Sequence, residues 1–174
     1  MDTLNAILHR KSIRKFQNTP IPKEIITDIL KAGMAGPSCV NARDWSFLVV
    51  ENPETLQKMA AANGPAANPL KGAVLGILVC GDLSRAFPPA KDYWVIDGAI
   101  AAQNMILAAE SYGIGTVWLG TWPQMERVDR QRQLFQLPEY ITPHSLIAFG
   151  YPAEDPDKSQ KPDWEADRVH YESW

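Results

Sequence analysis

Hydrophobic residues recur every three or four positions in some stretches of this chain and alternate or run unbroken in others, so helices and strands are interleaved. Leu4, Ile7 and Leu8 form a short helical face that Asp2 or Thr3 can cap, and the polar cluster Arg10 to Phe16 breaks the pattern. Ile21-Pro22 opens a second helix that reaches about Met34, with Ile25, Ile26, Ile29 and Leu30 on one side and Gly36-Pro37 as its stop. Residues 36–44 read as a loop, after which Trp45, Phe47 and Val49 alternate into a strand that Asn52-Pro53 ends. A helix over about 53–61 leads into residues 63–69, whose Gly and Pro content predicts a mobile loop.

The unbroken apolar run Ala73 to Cys80 has the length of a central strand covered on both faces. Ile96, Ala99, Ile100, Gln103, Ile106, Leu107 and Glu110 then fall at helical spacing over 95–112, with Gly113 placed as the C′ cap. On this reading Gln103 lies on the inner face of the helix, facing an interface or ligand, or sitting at the edge of a core. Thr116 to Leu119 predicts a short strand, residues 124–135 a helix, and Leu146 to Phe149 the last buried strand. Residues 153–174 are polar but finish in Val169-His-Tyr-Glu-Ser-Trp174, so this tail packs on its own domain or on a partner subunit. The alternation without internal repeat points to an α+β or mixed α/β layer fold.

Composition narrows the function classes. At 174 residues and 45% hydrophobic, the chain suits one domain, 1–174, with a proper core. Lys plus Arg number 17 against 20 Asp plus Glu, a net charge of −3, so there is no overall attraction to nucleic acid or membrane lipid and any anion site is local. The start lacks a basic flank and apolar core of the leader type, and no apolar run approaches the roughly 20 residues of a membrane span, so a cytoplasmic location is expected. Cys39, Cys80 and the three histidines show no metal-ligand spacing, and no protein-ligated metal is expected.

Three segments could carry chemistry. In an extended chain Arg10, Ser12 and Arg14 point to one side, and two guanidinium groups with a hydroxyl suit a phosphate or planar anion; a solvated basic loop reads the same way. Pro37-Ser38-Cys39-Val40-Asn41 offers small polar side chains and exposed amides that could bond a ligand or simply turn the chain. Gly113, Gly115 and Gly120 do not form a dinucleotide fingerprint, because the segment follows a helix instead of opening one. They are explained by a helix cap and a tight strand entry. Serine hydrolase, phosphate-loop and zincin motifs are absent, and Cys39 has no dedicated histidine to make it a nucleophile.

Arg10-Lys-Ser-Ile-Arg14-Lys-Phe16, Pro37-Ser-Cys-Val-Asn41 with Trp45, Ala108 through Gly120, and Ala148-Phe-Gly-Tyr-Pro152 together resemble the FMN-dependent nitroreductase family, in order and spacing, from about Leu4 to Trp174. The resemblance implies a three-layer α-β-α sandwich with a mostly antiparallel sheet, forming an intertwined homodimer with an FMN in each of two interfacial clefts. It places Arg10, Lys11, Ser12 and Arg14 of one subunit on the phosphate, ribityl chain and pyrimidine edge. Pro37, Ser38, Cys39 and Asn41 of the other would line the far side, the backbone of Trp118, Leu119 and Gly120 would face the flavin N5, and Gln103 and Lys161 join the cofactor-binding set. Cys39 stands where many members have Ser or Ala. The tail 153–174 would reach across to the partner.

Implied in turn is a ping-pong oxidoreductase in which NADH or NADPH reduces the flavin and a nitroaromatic, quinone or similar acceptor oxidises it, with no catalytic side chain required. Tyr93, Trp94 or Trp122 would line the apolar slot over the ring or serve plain packing. A flavin-binding store or sensor with little turnover would carry the same residues, and a thiol enzyme built on Cys39 is a third reading.

Overall fold

The computed structural model describes residues 3–156 and 164–174, so Asp2 and the predicted phosphate contact Lys161 lie outside the described residues. Nine principal elements follow in the order α1 (Thr3–His9), α2 (Lys23–Met34), β1 (Trp45–Val50), α3 (Pro53–Asn63), β2 (Leu75–Asp82), α4 (Tyr93–Ser111), β3 (Gly115–Gly120), α5 (Met125–Phe135) and β4 (Ile141–Gly150). The strands form one antiparallel sheet in the order β1-β2-β4-β3.

Both faces of β2 are buried because its residues serve two cores. Leu75, Ile77 and Val79 meet Ile26 and Ile29 of α2 and Ala102, Met105 and Ala109 of α4 on one side. Leu78 and Cys80 meet Leu56, Met59 and Ala60 of α3 on the other, with Leu134 and Phe135 of α5 packed against that cluster. Helices therefore cover the sheet from both sides, the three-layer arrangement expected. An apolar run without alternation is what a doubly covered strand requires.

The structure departs from the sequence reading in several places. Residues 63–69 are no mobile loop: Pro65–Gly72 is a 3-10 turn whose Ala67 and Leu70 are buried in the second core. Strand β4 starts five residues earlier than predicted, because Pro143 and His144 interrupt the apolar pattern while a register shift opposite Val79 and Cys80 accommodates them.

Helix α4 buries Trp94, Asp97, Gly98, Ala101, Ala102, Met105, Ile106, Ala109 and Glu110, whereas Ile96 and Gln103 are exposed. The predicted inner position of Gln103 is thus incorrect. Two apolar stripes run along α4, and the one with Gly98, Ala101 and Ala102 lets the helix approach the sheet closely, so it wins over the bulkier stripe. Leu4 and Ile7 of α1 are likewise exposed, and Ala6 is the buried residue of that helix. Among the described residues the tail does not pack on its own domain at its end, where Trp174 is fully exposed and its ring lies tilted against His170 at 4.3 Å.

Candidate functional site

Past α1 the chain runs extended along β3. Ser12 bridges to Thr116 in parallel, and the Ile13 N–H donates to the Thr116 carbonyl at 2.8 Å. Ile13 turns inward onto Gly115, where an added Cβ would stand 2.7 Å from Ile13 Cβ, so Gly115 is required by close approach. Gly150 admits Phe16 in the same way, with 2.8 Å to the ring. Gly113 has φ +71°, as a helix C′ cap demands. With Ile13 anchored, Ser12 and Arg14 are exposed, and Arg10 and Lys11 are half-buried. The Arg14 guanidinium donates to the Ser12 carbonyl at 3.3 Å.

The same strand, β3, ends in Trp118, Leu119 and Gly120. Trp118 is 38% exposed and meets His144 edge-on at 5.8 Å, and His144 meets Trp94 at 5.7 Å. Trp94 in turn packs edge-on against Trp122, so both indoles serve this cluster. Leu119 is buried in the second core and offers only backbone. Gly120 is exposed with nothing within 4 Å of where a Cβ would be, leaving the backbone there open to a flat ligand. Its carbonyl accepts from Arg127 at 2.7 Å and from Asn63 at 3.1 Å, and Asn63 also accepts from the Thr121 hydroxyl at 2.8 Å. The turn after β3 is therefore fixed from below.

Residues 37–43 are held differently. Val40, Asn41 and Arg43 have φ of 45°, 58° and 51°, left-handed values that each cost on the order of 1 kcal/mol or more for a side chain other than glycine. The loop is pinned by the Arg43 N–H donating to Ser38 Oγ at 2.9 Å and the Cys39 N–H donating to both Asp97 oxygens at 3.0 and 3.2 Å. Pro37 and Asn41 are exposed, and Ser38 and Cys39 half-buried. This loop feeds β1, at the opposite edge of the sheet from β3. The hollow bearing Ser12 and Arg14 and the hollow bearing Pro37, Ser38 and Cys39 share no lining residue. One chain thus docks Arg10 to Arg14 on the start of β3, whose far end carries Trp118 to Gly120, and holds 37–41 at the opposite sheet edge. Gln103 lines a shallow groove on the outer face of α4 with Ile96, Ala99 and Ile100.

Three titratable groups escaped the sequence reading. Asp44 is 1% exposed and Asp97 2% exposed. Burial first, then the charge and carboxyl of Asp97, push Asp44 up to about 6, against a smaller pull from its own backbone amide. Burial pushes His144 down to about 4, so the imidazole beside Trp118 is neutral at pH 7. A sequence signal existed for Asp97, an acidic residue inside the apolar run of α4, but Asp44 sits unremarkably before a strand. The Cys39 thiol is raised by partial burial and then by the charges of Asp97 and Asp44, which disfavours thiolate and counts against a thiol enzyme.

Comparison with known proteins bears on this arrangement. The model of the "Nitroreductase family" matches residues 7–73 and 68–151. A protein of Methanothermobacter thermautotrophicus named "Putative NADH dehydrogenase/NAD(P)H nitroreductase" is 45% identical over 174 residues, covering 100% of this chain and 88% of its own length. A crystal structure of a protein with the same name from Parabacteroides distasonis is 37% identical with a TM-score of 0.91, over 99% of this chain and 98% of that one. An FMN-dependent nitroreductase from Clostridium difficile R20291 is 26% identical with a TM-score of 0.89, over 98% of this chain and 99% of that one. Both separated halves of the candidate site fall inside the matched segments, and the chain belongs to the nitroreductase family.

Proposed function

We propose that this chain is an FMN-dependent NAD(P)H oxidoreductase working as a homodimer, with nitroaromatics, quinones or similar planar acceptors as its second substrate. The observation that carries the reading is the Ser12–Thr116 bridge, which docks the Arg10 to Arg14 segment on β3, the strand whose far end carries the open backbone at Gly120. The residues fit the group. Two guanidiniums and a hydroxyl suit a phosphate dianion, and the side-chain-free surface at Gly120 next to exposed Trp118 suits a flat ring. When bound, FMN accepts a hydride from NADH or NADPH and passes the reducing equivalents to the acceptor.

The side chains bind and orient. Arg10, Lys11, Ser12 and Arg14 hold the phosphate and the polar edge of the ring, where positive charge favours an electron-rich flavin. Neutral His144 fixes Trp118 edge-on without adding charge. Pro37, Ser38, Cys39 and Asn41 close the cleft from a second copy, because their own chain holds them at the far sheet edge. Arg14→Ala tests the assignment: Arg14 is exposed, so the fold is retained, while FMN affinity falls by tenfold or more in a fluorescence titration. Unchanged affinity would remove Arg14 from the site.

A further inference from the structure

Beneath the 37–43 loop lies a pair of buried acids that the binding reading does not use. Apart from the weak pull of its own backbone amide, neither Asp44 oxygen finds an N–H or O–H partner, although the residue is 1% exposed. The polar group facing it at hydrogen-bonding range is another carboxyl, that of Asp97. Such a contact is a bond only when a proton lies between the two groups. Asp97 already accepts the Cys39 N–H on both oxygens, so it serves as acceptor and Asp44 as donor. Among the described residues no cation balances Asp44: Arg43 before it is exposed, Asp82 at the end of β2 is a third acid tied to Ser84, Cys39 is a thiol kept protonated, and Tyr93 lines the same hollow as Asp97. His144 packs on Gly98, next to Asp97, and burial keeps it neutral.

We infer that Asp44 and Asp97 share one proton, and that this proton keeps Asp97 in place to hold the left-handed 38–43 loop in the shape that meets the flavin. Both are positioning residues. The inference rests on the proposed flavin cleft for its consequence, but the proton itself does not. Folding that raises the pKa of Asp44 gives stability that is complete below about pH 4, the ordinary carboxyl range, and lost as pH rises through about 6. Above that, two charges face each other under the loop.

The test compares wild type with Asp44→Asn, whose amide donates to Asp97 at any pH, and with Asp97→Asn, whose amide donates to Asp44 at any pH. The ratio of wild-type to variant FMN dissociation constants cancels the titration of the FMN phosphate itself. That ratio is expected near one at pH 5 and to rise at least threefold by pH 8. A flat ratio with FMN bound would overturn the inference. Infrared difference spectra, wild type minus Asp44→Asn without added flavin, isolate the band of this pair from the other carboxyls and supply a readout that does not depend on FMN. A protonated-carboxyl C=O band is expected at pH 5 and absent at pH 8, and its absence at pH 5 would also overturn the inference. If no FMN binds at any pH, the functional proposal fails and the infrared band still decides the proton.

Discussion

At the scale of single residues, the site depends on groups whose ionisation is set by enclosure. His144 is depressed from 6.5 to about 4, so its neutral form contributes stability above about pH 6.5 that is lost as pH falls towards 4. Full conversion of that shift is worth on the order of 3 kcal/mol. Asp44 contributes the opposite slope in both proteins, so thermal unfolding followed between pH 7 and 4 is expected to turn less favourable on acidification in wild type than in His144→Gln by this amount. Equal slopes would place the titration elsewhere. The alternation of Arg10, Ser12 and Arg14 was readable in the sequence, where it suits an anion and a solvated basic loop alike. The enclosed acids were harder to read: Asp97 carried a signal as an acid inside the apolar run of α4, but Asp44 carried none, since its enclosure depends on α4 crossing under the loop, a contact between residues more than fifty positions apart.

At the scale of elements, the glycines of the β-sheet decide whether the N-terminal segment can dock. Gly115→Ala puts a methyl 2.7 Å from Ile13 Cβ, and both neighbours are backbone-proximal, so the segment bearing Arg10, Ser12 and Arg14 must shift. We expect a stability loss of about 1–3 kcal/mol with FMN affinity reduced at least tenfold, read by denaturant unfolding and fluorescence titration. Retained affinity would show that the segment's register does not matter. Most elements were readable from periodicity, because β2 is covered on both faces and α2 on one. The errors have physical causes. Helix α4 carries two apolar stripes, and periodicity alone does not say which of them packs on the sheet. Pro143 and His144 hid the first half of β4, because an irregular register suits a strand but masks its alternation.

At the scale of the whole molecule, apolar surface remains that one chain does not cover. Leu4, Ile7, Val40, Ile96, Tyr171 and Trp174 are all exposed, and α1 packs against α4 so that several of these belong to neighbouring elements. Together with the placement of the 37–41 loop at the far sheet edge, this supports the proposed cleft completed by a second copy. Ile96→Glu is expected to shift the protein from dimer towards monomer in analytical ultracentrifugation and to lower FMN affinity with it. A dimeric variant with normal affinity would move the interface away from α4. Among the described residues no helix is long and apolar enough to cross a membrane. The central claim is that two chains together hold a reducible flavin. It is tested most directly by the visible absorption spectrum of the purified protein reconstituted with FMN, recorded before and after anaerobic addition of NADH and of NADPH. The account predicts flavin bands at one equivalent per chain that bleach with at least one donor; a protein that stays colourless after exposure to FMN would contradict it.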